Sequence, residues 1–155
     1  MSNFFVSVLN YDSRALMLVC TLLELGGAAT ATLISFSQLS FDKKHMIGYG
    51  SFSKVYKGKF KATDCAVKLV FTMDLTEEDI CRVAAEATIL SSVKSINVVK
   101  IFGVTVLPPS VCIVLELCTY GSLSDVLRPP KALSLTFQDQ LFLCLGCARC
   151  VPKIY

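Results

Sequence analysis

The sequence predicts an α+β fold: a twisted five-stranded antiparallel sheet, one helix packed on it, and two further helices downstream. Three observations carry that reading. Apolar runs fall at 37–47, 54–61, 64–71, 98–106 and 110–117, bounded by turn residues or by one helical segment. Within 76–93, Ile80, Val83, Ala84, Ala87 and Leu90 recur at helical spacing and make one apolar stripe. The stretch 135–151, unbroken from Leu135 to Leu141 and free of proline throughout, reads as a second long helix.

In chain order, the run 37–47 leads into Ile47-Gly48-Tyr49-Gly50-Ser51-Phe52-Ser53-Lys54-Val55-Tyr56-Lys57-Gly58, a glycine-rich turn between two strands. The turn Ala62-Thr63-Asp64 closes a second hairpin, whose outgoing strand carries Cys65-Ala66-Val67-Lys68. Thr76-Glu77-Glu78-Asp79 opens the helix with a hydroxyl cap and acidic residues at the positive end of its dipole. Asn97-Val98-Val99-Lys100 turns into the fourth strand, and Leu107-Pro108-Pro109 joins it to the fifth. That last strand breaks at Gly121-Ser122, a short helix occupies 122–127, and Pro129-Pro130 separates it from the long one.

The chemistry concentrates on the first hairpin. Gly48 and Gly50 let the backbone approach negatively charged oxygens where a side chain would collide, and Lys68 adds a fixed point charge. A lone Gly-x-Gly more often just makes a turn, and the third glycine of the usual Gly-x-Gly-x-x-Gly is replaced here by Ser53. Glu86 lies beside the apolar stripe of its helix, within reach of Lys68. An arbitrary helical glutamate is usually a solvated one, so the pair gains meaning from the order of the other segments.

Together and in this order, these segments resemble the small lobe of the protein kinase family, closest to its tyrosine-kinase-like serine/threonine group. The resemblance implies a phosphate-covering loop at 48–55, including Ser51, Phe52 and Ser53. It implies that Lys68 binds phosphate and that Glu86 pairs with it. Ile47, Val55 and Ala66 would roof the base, Leu115 would guard the back of the pocket, and Glu116 to Cys118 would be the hinge that hydrogen-bonds the adenine edge. The implied cofactor is ATP, with magnesium in full-length relatives, and the implied activity is phosphoryl transfer to protein serine or threonine. The segment Leu145-Gly146-Cys147-Ala148-Arg149-Cys150-Val151 resembles the first long helix of the large lobe, with Cys150 in place of a usual glycine and Pro152 ending the helix near Val151.

The motifs that follow in the family, His-Arg-Asp with a later asparagine and then Asp-Phe-Gly, do not occur in the sequence; its one histidine is His45. Those motifs orient the acceptor hydroxyl and hold the metal. The expectation is therefore a partial kinase domain, with no catalytic aspartate and no metal ligands, that binds nucleotide without transferring phosphate. The alternative is a non-catalytic interaction module docking a protein partner through the exposed helix 135–151. At 155 residues the length suits truncation, because a whole kinase domain needs roughly 250 residues. The expected division is an extension at 1–36, a small lobe at 37–117, and the hinge and start of a large lobe at 118–155.

Composition agrees. Apolar residues make up 54% and charged residues 17%, against about 45–50% and 25% in an average soluble domain. A net charge of +3 with no basic cluster among aromatics argues against nucleic acid as a partner. Lys54, Lys57, Lys59 and Lys61 read as one exposed, solubilising face. The eight cysteines lie mostly within strand and helix patterns and read as buried free thiols of a reducing compartment. Cys144, Cys147 and Cys150 have Cys-x-x-Cys-x-x-Cys spacing, but they fall on a helix without a fourth ligand, so no metal is expected.

In the extension, the apolar stretch at 15–23 is interrupted by Glu24. A soluble extension, a membrane anchor and a signal segment all remain open, and so does membrane association. The expected location is cytoplasmic, with a membrane-anchored receptor-like kinase as the alternative. Ser35-Phe36-Ser37-Gln38-Leu39 resembles the lead-in to the first strand and puts the boundary near 36.

Overall fold

In a computed structural model, the described residues are 32–71, 76–107, 110–128 and 135–150. The Pro108-Pro109 and Pro129-Pro130 connections, the apolar stretch 15–23 and the helix end at Val151 lie outside them. The five apolar runs become β1 (Leu39–Tyr49), β2 (Ser53–Phe60), β3 (Thr63–Phe71), β4 (Ile101–Leu107) and β5 (Ser110–Glu116), one antiparallel sheet in the order β1-β2-β3-β5-β4. The helices are α1 (Glu77–Ser92), α2 (Leu123–Leu127) and α3 (Phe137–Cys150). The expected fold class holds, and element ends differ from expectation by at most three residues.

Strand alternation gives the sheet two unlike faces. On the inner face Val70, Val104, Val111 and Ile113 pack against Ile80, Ala84 and Ala87 of α1, so the predicted stripe is the one that is buried. On the outer face Tyr56, Cys65, Val67, Leu69, Cys112 and Val114 cluster with Ile34 and Leu39, flanked by Phe41, Phe60, Phe71 and Phe102. That face is covered by the chain that precedes β1. Residues 32–34 run beside β4, Phe36–Gln38 form a single 3-10 turn, and β1 then starts at the opposite edge of the sheet. Packing thus reaches four residues upstream of the expected boundary at 36.

Three local expectations are corrected. The second hairpin turns at Lys61-Ala62, since Phe60 already pairs with Thr63, and Lys61 takes a φ of +56°. Lysine gives no turn signal, so the sequence sets this glycine-free corner about a residue too late. Nor do the four lysines share a face. Lys54 lies on the Tyr56 side, with its ammonium 5.7 Å from the Phe71 ring centroid; Lys57 and Lys59 lie on the other side, and Lys61 sits in the turn over Phe60. Period two forbids grouping residues 54 and 57. The thiols are also less buried than expected: Cys65 and Cys112 are buried, whereas Cys81, Cys118, Cys144 and Cys147 are exposed and Cys150 is half-buried. Burial, with the Asp64 charge beside it, pushes the Cys65 thiol up to about 11, and burial alone pushes Cys112 up to about 12, so both stay protonated and inert.

Each helix begins with the same device. Thr76 and Asp79, Ser122 and Asp125, and Thr136 and Asp139 exchange side-chain and backbone hydrogen bonds as capping boxes. The Thr76 hydroxyl and then its backbone N–H donate to Asp79 and hold its carboxyl below the usual carboxylate range, and Thr136 does the same for Asp139. A carboxyl whose folded pKa is depressed contributes stability that is complete above its unfolded value and is lost as pH falls through the lower folded one. We therefore expect helical circular dichroism to decline below about pH 4, and Asp79→Asn to lose its share of that acid-sensitive step.

Candidate functional site

The site forms where the inner face of the sheet runs out from under α1. Along one cross-strand row, Gly48 lies opposite Val55, Val55 opposite Lys68, and Lys68 opposite Ile113; in the next row Lys57, Ala66 and Leu115 are neighbours. Lys68 is half-buried in the middle of this surface. Its Nζ donates to both carboxylate oxygens of Glu86 at 2.7 Å, with 20% of the lysine side chain and 47% of the glutamate side chain exposed. The helical stripe explains the meeting. Ala84 and Ala87 are fully buried and draw α1 close to the sheet, leaving Glu86 at the edge of that contact facing the strand.

The glycine-rich segment is a strand-connecting flap. Gly50 N–H donates to the Ser53 carbonyl at 2.8 Å to close its turn, and Phe71 N–H donates to the Phe52 carbonyl at 3.0 Å, tying the flap to β3. A Cβ on Gly50 would come within 3.1 Å of Ser53 Oγ, while one on Gly48 would meet only Val55 at ordinary contact distance. Ser51 and Phe52 are exposed and Ser53 half-buried. Beneath the flap a cavity of about 250 Å³ is lined by Ser51, Phe52, Ser53, Lys68, Val70, Asp79, Arg82 and Val83.

Of the residues expected to form an apolar slot, Val55 is half-buried, Ala66 is buried and Leu115 packs against the inner core. Ile47 sits at an irregularity of the β1–β2 register and is 53% exposed. Glu116 closes β5, with its N–H donating to the Lys100 carbonyl at 2.8 Å, and a cavity of about 510 Å³ behind it reaches the end of α1. Cys118 is exposed, and its carbonyl accepts from Gly121 N–H at 3.0 Å. The sheet and α1 thus bring Gly48, Val55, Ala66, Lys68, Glu86 and Leu115 together, while Ile47 and Cys118 are exposed.

Arg82 was missed in the sequence. It stands one turn before Glu86 on the same helix, a spacing that could have found it; its guanidinium pairs with Glu78 at 2.6 Å. Among the described residues there is no cluster of histidine, cysteine and carboxylate groups that could hold a metal, and no helix long and apolar enough to cross a membrane.

The arrangement can hold an anion chain between a backbone flap and a tethered ammonium, beside an apolar slot. A family model described as protein tyrosine and serine/threonine kinase matches residues 41–152. The chain is 36% identical over 123 residues to "Putative serine/threonine-protein kinase/receptor R831" of Acanthamoeba polyphaga mimivirus, covering 79% of this chain and 7% of that protein. It is 35% identical over 103 residues to the ankyrin repeat-containing protein kinase A of Dictyostelium discoideum, covering 64% and 7%. With the stress-activated protein kinase alpha of the same organism, identity is 36% over 95 residues, covering 61% and 14%. The chain therefore spans a small part of the relatives it matches.

Proposed function

Because this chain belongs to the protein tyrosine and serine/threonine kinase family, we propose that it is the nucleotide-binding part of a serine/threonine kinase domain and takes ATP between the flap and Lys68. The single observation that carries the reading is the Lys68–Glu86 pair, formed at 2.7 Å under the glycine-rich flap. Glu86 holds the ammonium in place without quenching it, because its carboxylate is half exposed and shares its charge with water. The ammonium then faces α- and β-phosphate oxygens, the flap supplies backbone N–H groups, and Val55, Ala66 and Leu115 contact the base. The hinge groups proposed to read the adenine edge are the Glu116 carbonyl and the Cys118 N–H; the Glu116 N–H and the Cys118 carbonyl are used within the chain.

Bound magnesium would neutralise the β- and γ-phosphates; the family's metal-holding motifs are not in this sequence. Binding without transfer is accordingly the activity proposed for this polypeptide by itself. Transfer to serine or threonine, a reading supported by the names of the relatives, is proposed for a protein that also has a catalytic loop. A second reading, a non-catalytic docking module, is favoured by α3, where Phe137 is 77% and Phe142 72% exposed. A cytoplasmic location is proposed with either.

The test is thermal denaturation with ATP. The melting temperature should rise with millimolar ATP and magnesium, and Lys68→Ala should remove that rise, since a charge-assisted contact is worth about 1.5–3 kcal/mol, or roughly ten- to a hundred-fold in affinity. A melting temperature indifferent to nucleotide in the unaltered protein would refute the proposal.

A further inference from the structure

Resting on the nucleotide reading above, we infer that residues 32–38 are a positioning strap: by holding β4 they fix the cross-strand row that contains Lys68 and Gly48, and so set nucleotide affinity. The row is continuous. Leu33 lies opposite Val104, Val104 opposite Ile113, Ile113 opposite Lys68, Lys68 opposite Val55, and Val55 opposite Gly48. One line of paired backbone therefore crosses from the strap, through the phosphate-facing lysine, to the flap.

The strap is attached at both edges of the sheet. At the β4 edge Val104 N–H donates to the Thr32 carbonyl at 2.9 Å, and Ile34 N–H donates to the Val104 carbonyl at 3.0 Å. The Ile34 side chain, 7% exposed, is seated in the outer cluster. At the β1 edge Phe36 meets Phe41 edge to face with centroids 6.5 Å apart, and Lys61 N–H donates to the Gln38 carbonyl at 2.8 Å. Gly103 permits the approach: a Cβ there would stand 2.4 Å from the Thr32 carbonyl oxygen and 2.6 Å from the Ile34 side chain. Without the strap β4 would be an unpaired edge, free to fray, and among the described residues β4 is the strand that supports β5 on the side away from Lys68. Sheet edges open locally at lower cost than the whole domain unfolds. A contiguous row with one anchored end is a physical route by which such opening reaches Lys68.

The experiment uses the full chain with Gly103→Ala and Ile34→Ala, two changes that loosen the strap by different contacts. The control is Leu39→Ala, a residue of the same outer cluster that is held by its pairing to Phe60 in β2 rather than by β4. Amide hydrogen exchange of peptides covering Val104, Ile113 and Lys68 is measured without nucleotide, well below the melting temperature, alongside ATP affinity. Both strap variants should exchange about tenfold faster along the row than the control at equal loss of stability, and bind ATP about fivefold or more weakly. Exchange and affinity that simply follow stability, as in Leu39→Ala, would reduce the strap to a structural part and overturn the inference. So would faster exchange with unchanged affinity. Failure of the nucleotide reading looks different: the unaltered protein shows no ATP binding, and the exchange comparison still decides whether the strap holds the row.

Discussion

Ile113→Ala should destabilise the protein by about 2–5 kcal/mol, the range for deleting a fully buried aliphatic side chain and leaving a cavity behind. Ile113 is 1% exposed and belongs to the inner cluster with Val70, Val104 and Val111 from the sheet and Ile80, Ala84 and Ala87 from α1. Those three α1 residues are two alanines and one isoleucine, so the helix has little bulk with which to collapse into the gap. The contrast is Ile89→Ala on the outer side of α1, where the side chain is 43% exposed. That change should stay within about 0.5 kcal/mol. Urea unfolding followed by fluorescence or circular dichroism separates the two: the midpoint should fall sharply for Ile113→Ala, with an unchanged slope. Equal effects at residues 113 and 89 would mean that α1 does not pack on this face. Because Ile113 is also the cross-strand neighbour of Lys68, the same variant should loosen the Lys68–Glu86 contact even where the protein remains folded.

The parts of this molecule that were legible in its sequence are the ones specified locally. The α1 stripe is a matter of helical period, and the Thr76 cap lies beside its partner Asp79, so both could be read and both are present. The apolar runs predicted five strands, most plainly β3 and β5, whose residues are largely buried, and five are found among the described residues, although β1 buries only Leu39. Lys68 and Glu86 stand eighteen residues apart; their pairing was readable through the order of the surrounding segments rather than through spacing. Other features depend on contacts distant in sequence and left no local trace. The seating of Ile34 on β4 depends on Gly103 being bare sixty-nine positions later, which no pattern around residue 34 announces. Lys61 adopts a positive φ although nothing about lysine favours it; the strand pairing on either side imposes the corner. The cysteines misled because an apolar pattern does not say whether a helix has a neighbour. On α3 no side chain is fully buried, so Cys144 and Cys147 face outward together with its leucines.

Two glycines of similar appearance should separate stability from binding. Gly58→Ala should cost about 1–3 kcal/mol, the range for an overpacking change. Its Cβ would stand 2.7 Å from the Ser40 carbonyl oxygen, 2.9 Å from Val67 Cγ2 and 3.0 Å from Phe41 Cβ. The first of these is backbone of the paired strand and the second belongs to a side chain with no exposed surface, so neither can yield cheaply. Gly48→Ala is the opposite case: its Cβ would meet only Val55, at 3.6 Å, and its backbone has no positive φ. The fold therefore does not need glycine at 48, and the melting temperature without ligand should hardly move, within about 0.5 kcal/mol of equivalent stability. What a methyl group at 48 would occupy is the space over Val55, the cross-strand neighbour of Lys68, where the flap is proposed to approach the nucleotide. Weakened ATP binding with unaltered stability in Gly48→Ala, set against lost stability in Gly58→Ala, is the expected pair of results. If Gly48→Ala instead loses stability and keeps its ATP affinity, that glycine serves the turn alone and the flap does not close on phosphate.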